Sequence, residues 1–380
     1  MHICFITNEY PKTGFPHGGV GTFVQTLGRK LVEEGHHVSV IGINYDSSYQ
    51  EENDNGVRIY RLERASFKGI NWIFHASKIN LKVKEIHAHN PLNIIETAEL
   101  GLAFLKKIPA IKYVIRLHGG HHFFAEAENR GINKWKGFLE KRSFSKADGF
   151  IAVSKYVKSH TEKYLSYNNK PIETINYPIS FSKFYVSDKS NQAPFSIVFA
   201  GTVCEKKGVR QLIQALPLIL EKFPETQLHI YGRDWFFTDK TSYIEFLKRQ
   251  TPKDLLEKIT YHGAISHDLL SEAYEKGAVC VFPSHMETQG LVAPEAMAME
   301  KVVVFTKLGP GPETIEHLKT GLLCNPLDPK DIASKIIWVF DNSDKSCEIG
   351  FEARKFVLNK FDIEKVYKSN NEFYNKLNNN

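Results

Sequence analysis

The sequence predicts an α/β chain made of two successive halves, each a parallel sheet covered by helices. Three observations predict it. Apolar strand-like runs alternate with helical runs along the whole chain, the pattern of βαβ units. At 380 residues the chain is long for one domain and natural for two. The alternation breaks once, between Tyr177 and Pro194, in a polar stretch with two prolines and no periodicity. That stretch reads as a linker, which puts a first domain at 1–185 and a second at 186–360.

The elements follow in order. His2 to Thr7 is a short apolar strand, ended by a Pro/Gly-rich loop from Pro11 to Gly21. Val20, Phe23, Val24, Leu27 and Leu31 then share one helical face, and Gly35 stops that helix. His37–Ile43, Lys112–Leu117 and Gly149–Val153 are further strands of this half. The second half contributes Phe195–Ala200, Gln227–Tyr231, Ile259–His262, Val279–Phe282 and Val302–Thr306.

Bulk properties narrow the function. A hydrophobic fraction of 42% supports sizeable cores and argues against disorder. The net charge of +6 suits anionic small molecules or an anionic membrane surface, and is too small to argue for nucleic acid. The five cysteines are scattered with no Cys-x-x-Cys, and most sit in apolar runs as expected of buried thiols in a reducing compartment. The start lacks a basic region and a cleavage site, and no run of 18 apolar residues occurs. A cytoplasmic protein is expected, with possible peripheral contact at the inner face of the cytoplasmic membrane.

The most informative segment runs from Pro283 to Ala298. It places Glu287 before a glycine turn at Gly290 and Glu295 just after it, beside Pro294, which suits the first position of a helix. Backbone N–H groups at Gly290, Leu291 and Val292 would face a helix mouth of partial positive charge, a ready diphosphate site. The two carboxylates suit hydroxyls flanking that diphosphate. The bland alternative is a buried strand and a helix with two solvated glutamates.

Gly201 to Gly208, Gly-Thr-Val-Cys-Glu-Lys-Lys-Gly, joins a strand to a helix whose apolar face is Val209, Leu212, Ile213, Leu216 and Ile219. A glycine at the strand end admits a phosphate and Lys207 supplies charge. Alone, this reads as a surface turn with a solvated lysine pair.

Together these segments resemble the family 4 retaining glycosyltransferases. The resemblance implies the GT-B fold: α/β, two Rossmann-like doubly wound domains facing each other across a cleft, with the last helix, 361–380, crossing back to the first domain. It implies a glycosyltransferase that moves a sugar, with retention, from a nucleotide sugar (UDP or GDP) to a glycan or lipid-linked acceptor in polysaccharide or O-antigen assembly. No cofactor or metal is expected, and Asp-x-Asp is absent. Lys207 and Gly19 fall on donor-phosphate positions, Glu287 on the residue that orients the sugar, and Glu295 on the ribose contact. His118, after the strand Lys112–Leu117, matches a histidine that contacts the reacting centre.

Three positions depart from the pattern. Thr202 replaces the family arginine of the first turn, which forfeits a bidentate fork. Arg233 in Gly232-Arg233-Asp234, or Lys206, is positioned in sequence to supply that charge. Pro310 replaces the first of two adjacent glycines, while Gly311 and Glu313 match. Gln289 stands where phenylalanine is usual. These departures motivate an alternative: a catalytically silent nucleotide-sugar-binding partner. A phosphorylase or a sugar-nucleotide epimerase are further rivals.

Other motifs are weaker. Gly18-Gly19-Val20-Gly21 misses the dinucleotide spacing, so an NAD reading fails. His262-Gly263 ends a strand and suits the base or ribose. His89, His118, His121 and His122 match no zinc pattern. Tyr113, Phe123, Phe124, Trp135 and Phe138, with Lys134, Lys136, Lys141 and Arg142, form a basic aromatic region that suits either anionic headgroups or an amphipathic helix packed on the core.

Overall fold

In the computed structural model, which describes residues 1–15, 18–66, 71–127 and 131–379, the chain divides into two units. The first takes Met1–Pro178 together with Ile363–Asn380; the second is Ile179–Asp362. The change of unit falls ahead of the expected 185/186 boundary. Ile179 donates its N–H to the Phe361 carbonyl at 2.9 Å, and Phe184 is 1% exposed in the second core. Part of the apparent linker is therefore core, recruited by two large apolar side chains within a polar stretch.

In the first unit the strands are β1 (His2–Ile6), β2 (His37–Ile43), β3 (Gln50–Asp54), β4 (Val57–Leu62), β5 (Ile94–Thr97), β6 (Lys112–Leu117), β7 (Gly149–Ala152) and β8 (Ile172–Thr174). Among the described residues they form one sheet, in the order β3-β4-β2-β1-β5-β6-β7-β8. All pairs are parallel except the β3–β4 hairpin. That hairpin turns at Asn55-Gly56, both with positive φ (51° and 87°), the chemistry of a tight turn matched to strand twist.

The last helix, Ile363–Asn378, belongs to this unit through a buried polar network. Arg116 on β6 is fully buried and donates to both Glu96 carboxylate oxygens, at 2.7 and 3.0 Å. Asn370 accepts from the same guanidinium at 2.5 Å, and the Tyr374 hydroxyl donates to Glu96 at 2.6 Å. A buried ion pair persists only where its remaining lone pairs and protons are engaged. Here the last helix engages Arg116 Nη2 and Glu96, while Nη1 has no hydrogen-bond partner among the described residues and the guanidinium lies over the Phe23 ring, 4.5 Å from its centroid.

The second unit contains β9 (Ser196–Ala200), β10 (Gln227–Tyr231), β11 (Ile259–Gly263), β12 (Val279–Phe282), β13 (Val303–Thr306) and β14 (Leu322–Cys324). They form a parallel sheet in the order β11-β10-β9-β12-β13-β14. Val209, Leu212, Ile213, Leu216 and Ile219 bury one face of helix Val209–Leu220 in the core that holds β9. Each such side chain contributes roughly 1.5–3 kcal/mol. Cys4, Cys204, Cys280 and Cys324 are buried; Cys347 is exposed.

Candidate functional site

Chain order reverses between β9 and β12. From β9 the chain runs outward to β10 and β11, then returns to β12 on the other side. In an open parallel sheet, the carboxyl ends at such a reversal leave a crevice where ligands bind. β9 and β12 pair directly, Ile197 with Val279 and Val198 with Cys280, so the segments leaving their carboxyl ends lie side by side. Those segments are Gly201–Gly208 and Pro283–Gly290.

Their meeting is close. Gly208 has φ +72°, and a Cβ there would fall 1.9 Å from the Pro283 carbonyl oxygen, so only glycine fits. The His285 N–H donates to the Lys206 carbonyl at 2.9 Å. Lys207 Nζ reaches Glu287 Oε1 at 2.5 Å, joining residues 80 apart in sequence. The Glu287 side chain is 8% exposed and that of Lys207 is 23% exposed, so the pair opens to solvent from the lysine side. Gly290 (φ +77°) packs against the Glu287 side chain, where a Cβ would fall 3.2 Å from its Cγ.

The helix after Gly290 is Val292–Ala298. Pro294 is thus its third residue, not its first. The helix starts earlier because Ala293 and Glu295 already bond back to Gly290 and Leu291, and a proline within the first turn forfeits no helical bond. Among the described residues no backbone hydrogen bond engages the N–H groups of Leu291 and Val292.

Glu295 is buried and accepts from His267 Nε2 at 2.9 Å and from the Tyr274 hydroxyl at 3.4 Å. Desolvation opposes a charge on His267, but the hydrogen bond and charge of Glu295 outweigh it and raise its pKa. Neither partner is marked by any motif. His267 lies in a 3₁₀ turn, His267–Leu269, that no periodicity signals.

Arg233 lies beside the departure at Thr202. Its Nε donates to the Thr202 hydroxyl at 3.3 Å, and Val203 and Asp234 form a parallel bridge beyond the strand ends. His262 stacks on Tyr231 (centroids 4.1 Å, 3° between planes) and meets His229 at 3.1 Å, while Gly263 turns with φ +73°. Pro310 has φ −79°, a value proline itself prefers. The neighbouring Gly311 is the position that needs to lack a side chain, since its Cβ would fall 1.8 Å from the Thr306 carbonyl oxygen.

In the first unit His118 follows β6 directly. Its Nδ1 contacts the Tyr177 hydroxyl, and its ring packs near Phe23. Burial and then the Arg116 guanidinium lower its pKa to about 3, so the imidazole is neutral. Glu99 accepts the Gly119 N–H at 2.8 Å. Burial raises the Glu99 pKa to about 8, and the nearby Glu140 carboxylate adds to the rise. Gly19 opens helix Gly19–Glu33. His122 is paired with Glu140, and among the described residues no three His, Cys, Asp or Glu side chains converge as metal ligands would.

The basic aromatic region divides. Tyr113 and Phe123 are core residues, 0% and 2% exposed, because β6 and helix His121–Ala127 turn them inward. Trp135 and Phe138 are each 51% exposed. No helix among the described residues is long and apolar enough to cross a membrane.

Comparison with known proteins agrees with this architecture. Residues 17–183 match the model described as Glycosyltransferase Family 4, and residues 194–342 match Glycosyl transferases group 1. An uncharacterized glycosyltransferase of Methanocaldococcus jannaschii is 28% identical, covering 98% of each chain. The sucrose-phosphate synthase of Thermosynechococcus elongatus superposes with a TM-score of 0.86 at 22% identity, over 99% of this chain and 98% of that one. HepE of Anabaena, in complex with UDP-glucose, gives 0.78 at 16% identity, over 99% and 100%. The fold is GT-B, the nucleotide-sugar-binding fold of glycosyltransferases. The chain belongs to the family 4 glycosyltransferases.

Proposed function

We propose that this glycosyltransferase moves a sugar from a UDP or GDP sugar to a glycan or lipid-linked acceptor, with retention at the anomeric carbon and without a metal or cofactor. The observation that carries the reading is the contact between Lys207 and Glu287 at the reversal of strand order. It joins the charged side chains of two motif segments that the pairing of β9 with β12 sets side by side.

In this reading Lys207, with three N–H donors, keeps one on Glu287 and turns the others to the donor diphosphate. Arg233, beside Thr202, supplies the cation the replaced arginine would have given. The N–H groups of Gly290, Leu291 and Val292 add dipoles, and Gly19 lies against the phosphates. Glu287 orients the transferred sugar, Glu295 holds the ribose, and His262 and Gly263 border the base. His118, a neutral imidazole, hydrogen-bonds the sugar near its reacting carbon. The bond from that carbon to the diphosphate breaks as the acceptor oxygen bonds to the same face, and the acceptor's hydroxyl proton passes to a phosphate oxygen. Positive charge set in place before the reaction stabilises the departing diphosphate. The setting is cytoplasmic, at the inner membrane face for a lipid-linked acceptor.

The test is to mix the chain with UDP and GDP sugars and assay released nucleoside diphosphate with and without acceptors, following the anomer by NMR. Transfer, or slow donor hydrolysis alone, supports the reading. Saturable binding with neither supports a silent partner. Inverted product contradicts retention.

A further inference from the structure

Aromatic rings from three separate elements of the first unit meet on its surface. Trp72 lies in the first turn of helix Asn71–His89, Phe104 in the segment after β5, and Trp135 and Phe138 in the first turns of helix Lys134–Lys146. Trp72 packs on Phe104 with centroids 4.4 Å apart and meets Trp135 edge-on at 6.0 Å. Trp135 stacks with Phe138 at 5.8 Å. The cluster stays open to water: Trp72 is 41% exposed, and Trp135 and Phe138 are each 51% exposed. A contiguous exposed patch of this kind marks an interaction surface, because water-facing Trp and Phe have no folding reason to gather.

The surroundings select the partner. Helix Lys134–Lys146 carries Lys134, Lys136, Lys141 and Arg142, all exposed, with Lys134 and Lys141 on the same face as Phe138. Its one acid, Glu140, is fully buried beneath, bonded to the His121 and His122 N–H groups. The exposed charge on this helix is thus entirely positive. Exposed Trp and Phe rings beside a wholly cationic helix surface suit insertion among anionic headgroups, where an apolar ring and a basic side chain each find a partner. Both helices begin after strands of a parallel sheet, so their first turns lie toward the carboxyl edge, the edge where β6 delivers His118.

We propose that this cluster docks the protein on an anionic lipid bilayer, with Trp72, Trp135 and Phe138 entering the headgroup region and Lys134 and Lys141 paired with lipid phosphates. The proposal deepens the acceptor side of the proposed function. It places the edge that carries His118 at the lipid surface, where a lipid-linked acceptor is presented.

The test is flotation of the full chain with vesicles of phosphatidylcholine alone or with 30% phosphatidylglycerol, the composition chosen for the probe. Binding is expected only with the anionic vesicles, weakening as salt rises. Lys134→Gln with Lys141→Gln should weaken it by roughly 25-fold, at about fivefold per lysine. Trp135→Ala with Phe138→Ala should abolish flotation and the blue shift of tryptophan emission. Because both lysines are exposed, the glutamine variant keeps the test valid if the aromatic variant misfolds. Thermal shift with UDP and GDP on the same samples separates the two readings. Nucleotide binding intact without vesicle binding overturns the docking proposal alone. Loss of nucleotide binding in the wild type overturns the proposed function. Vesicle binding indifferent to all four substitutions, or retention on neutral polysaccharide instead of vesicles, also overturns docking.

Discussion

Lys207 and Glu287, 2.5 Å apart, tie the turn after β9 to the loop after β12. The pair sits where two neighbouring parallel strands send the chain in opposite directions. Lys207→Ala should lower kcat/KM by about 100-fold or more, the scale for removing charge stabilisation at a leaving group. With the lysine side chain 23% exposed, Tm should fall by only a few degrees. Paired kinetics and thermal melts check this. A melt that collapses while activity per folded molecule survives would assign the pair to scaffold.

Arg233 and Thr202 give a compensation test. Arg233→Ala should raise the donor KM roughly tenfold, and Thr202→Arg in that background should recover part of it. Strictly additive effects in the double-mutant cycle would show that the two positions do not share a phosphate.

Gly208 is the hinge of the contact. Gly208→Ala forces a left-handed alanine against the Pro283 carbonyl and should cost about 3 kcal/mol in chemical denaturation. It should also lower activity, since Lys207 and Pro283 would have to part. A fully stable, fully active variant would contradict the close packing described.

How much of this was legible in the sequence follows from burial. β10, β12 and the strand before His118 have the predicted bounds because each carries a short buried apolar signal: all of Val279–Phe282, Tyr113 to Ile115 with Leu117, and Leu228, Ile230 and Tyr231. β3 is an edge strand reading Gln-Glu-Glu-Asn-Asp, with no apolar signal, so the hairpin at Asn55-Gly56 was not expected. Lys207 and Glu287 were legible because a motif names both. His267 and Tyr274, which hold Glu295, were not, since their role exists only after β11 and β12 are placed. Tyr177 was lost to an apparent linker, although its hydroxyl contacts His118.

Two buried groups, His118 and Glu99, shift in opposite senses. The folded pKa of His118 is lowered from 6.5 to about 3, so between those values the unfolded chain binds more protons. Its contribution to stability is full above pH 6.5 and is lost as pH falls toward 3. His118→Gln should therefore flatten the acid-side loss of stability, leaving the similar share of His2, lowered to about 4. The Glu99 pKa is raised from 4.5 to about 8, so the folded chain binds more protons there. Its contribution is full below pH 4.5 and is lost as pH rises toward 8. Glu99→Gln keeps an acceptor for Gly119 and should stabilise the chain at pH 8.5 while changing little at pH 5. Urea unfolding at both values checks the signs.

The central claim is that Lys207, held by Glu287, binds the diphosphate of a nucleotide sugar. Calorimetric titration of UDP and GDP into the wild type and Lys207→Ala tests it most directly. One nucleotide should saturate the wild type and bind the variant roughly tenfold or more weakly. Equal affinity in both proteins, or binding of neither nucleotide to the wild type, would contradict it.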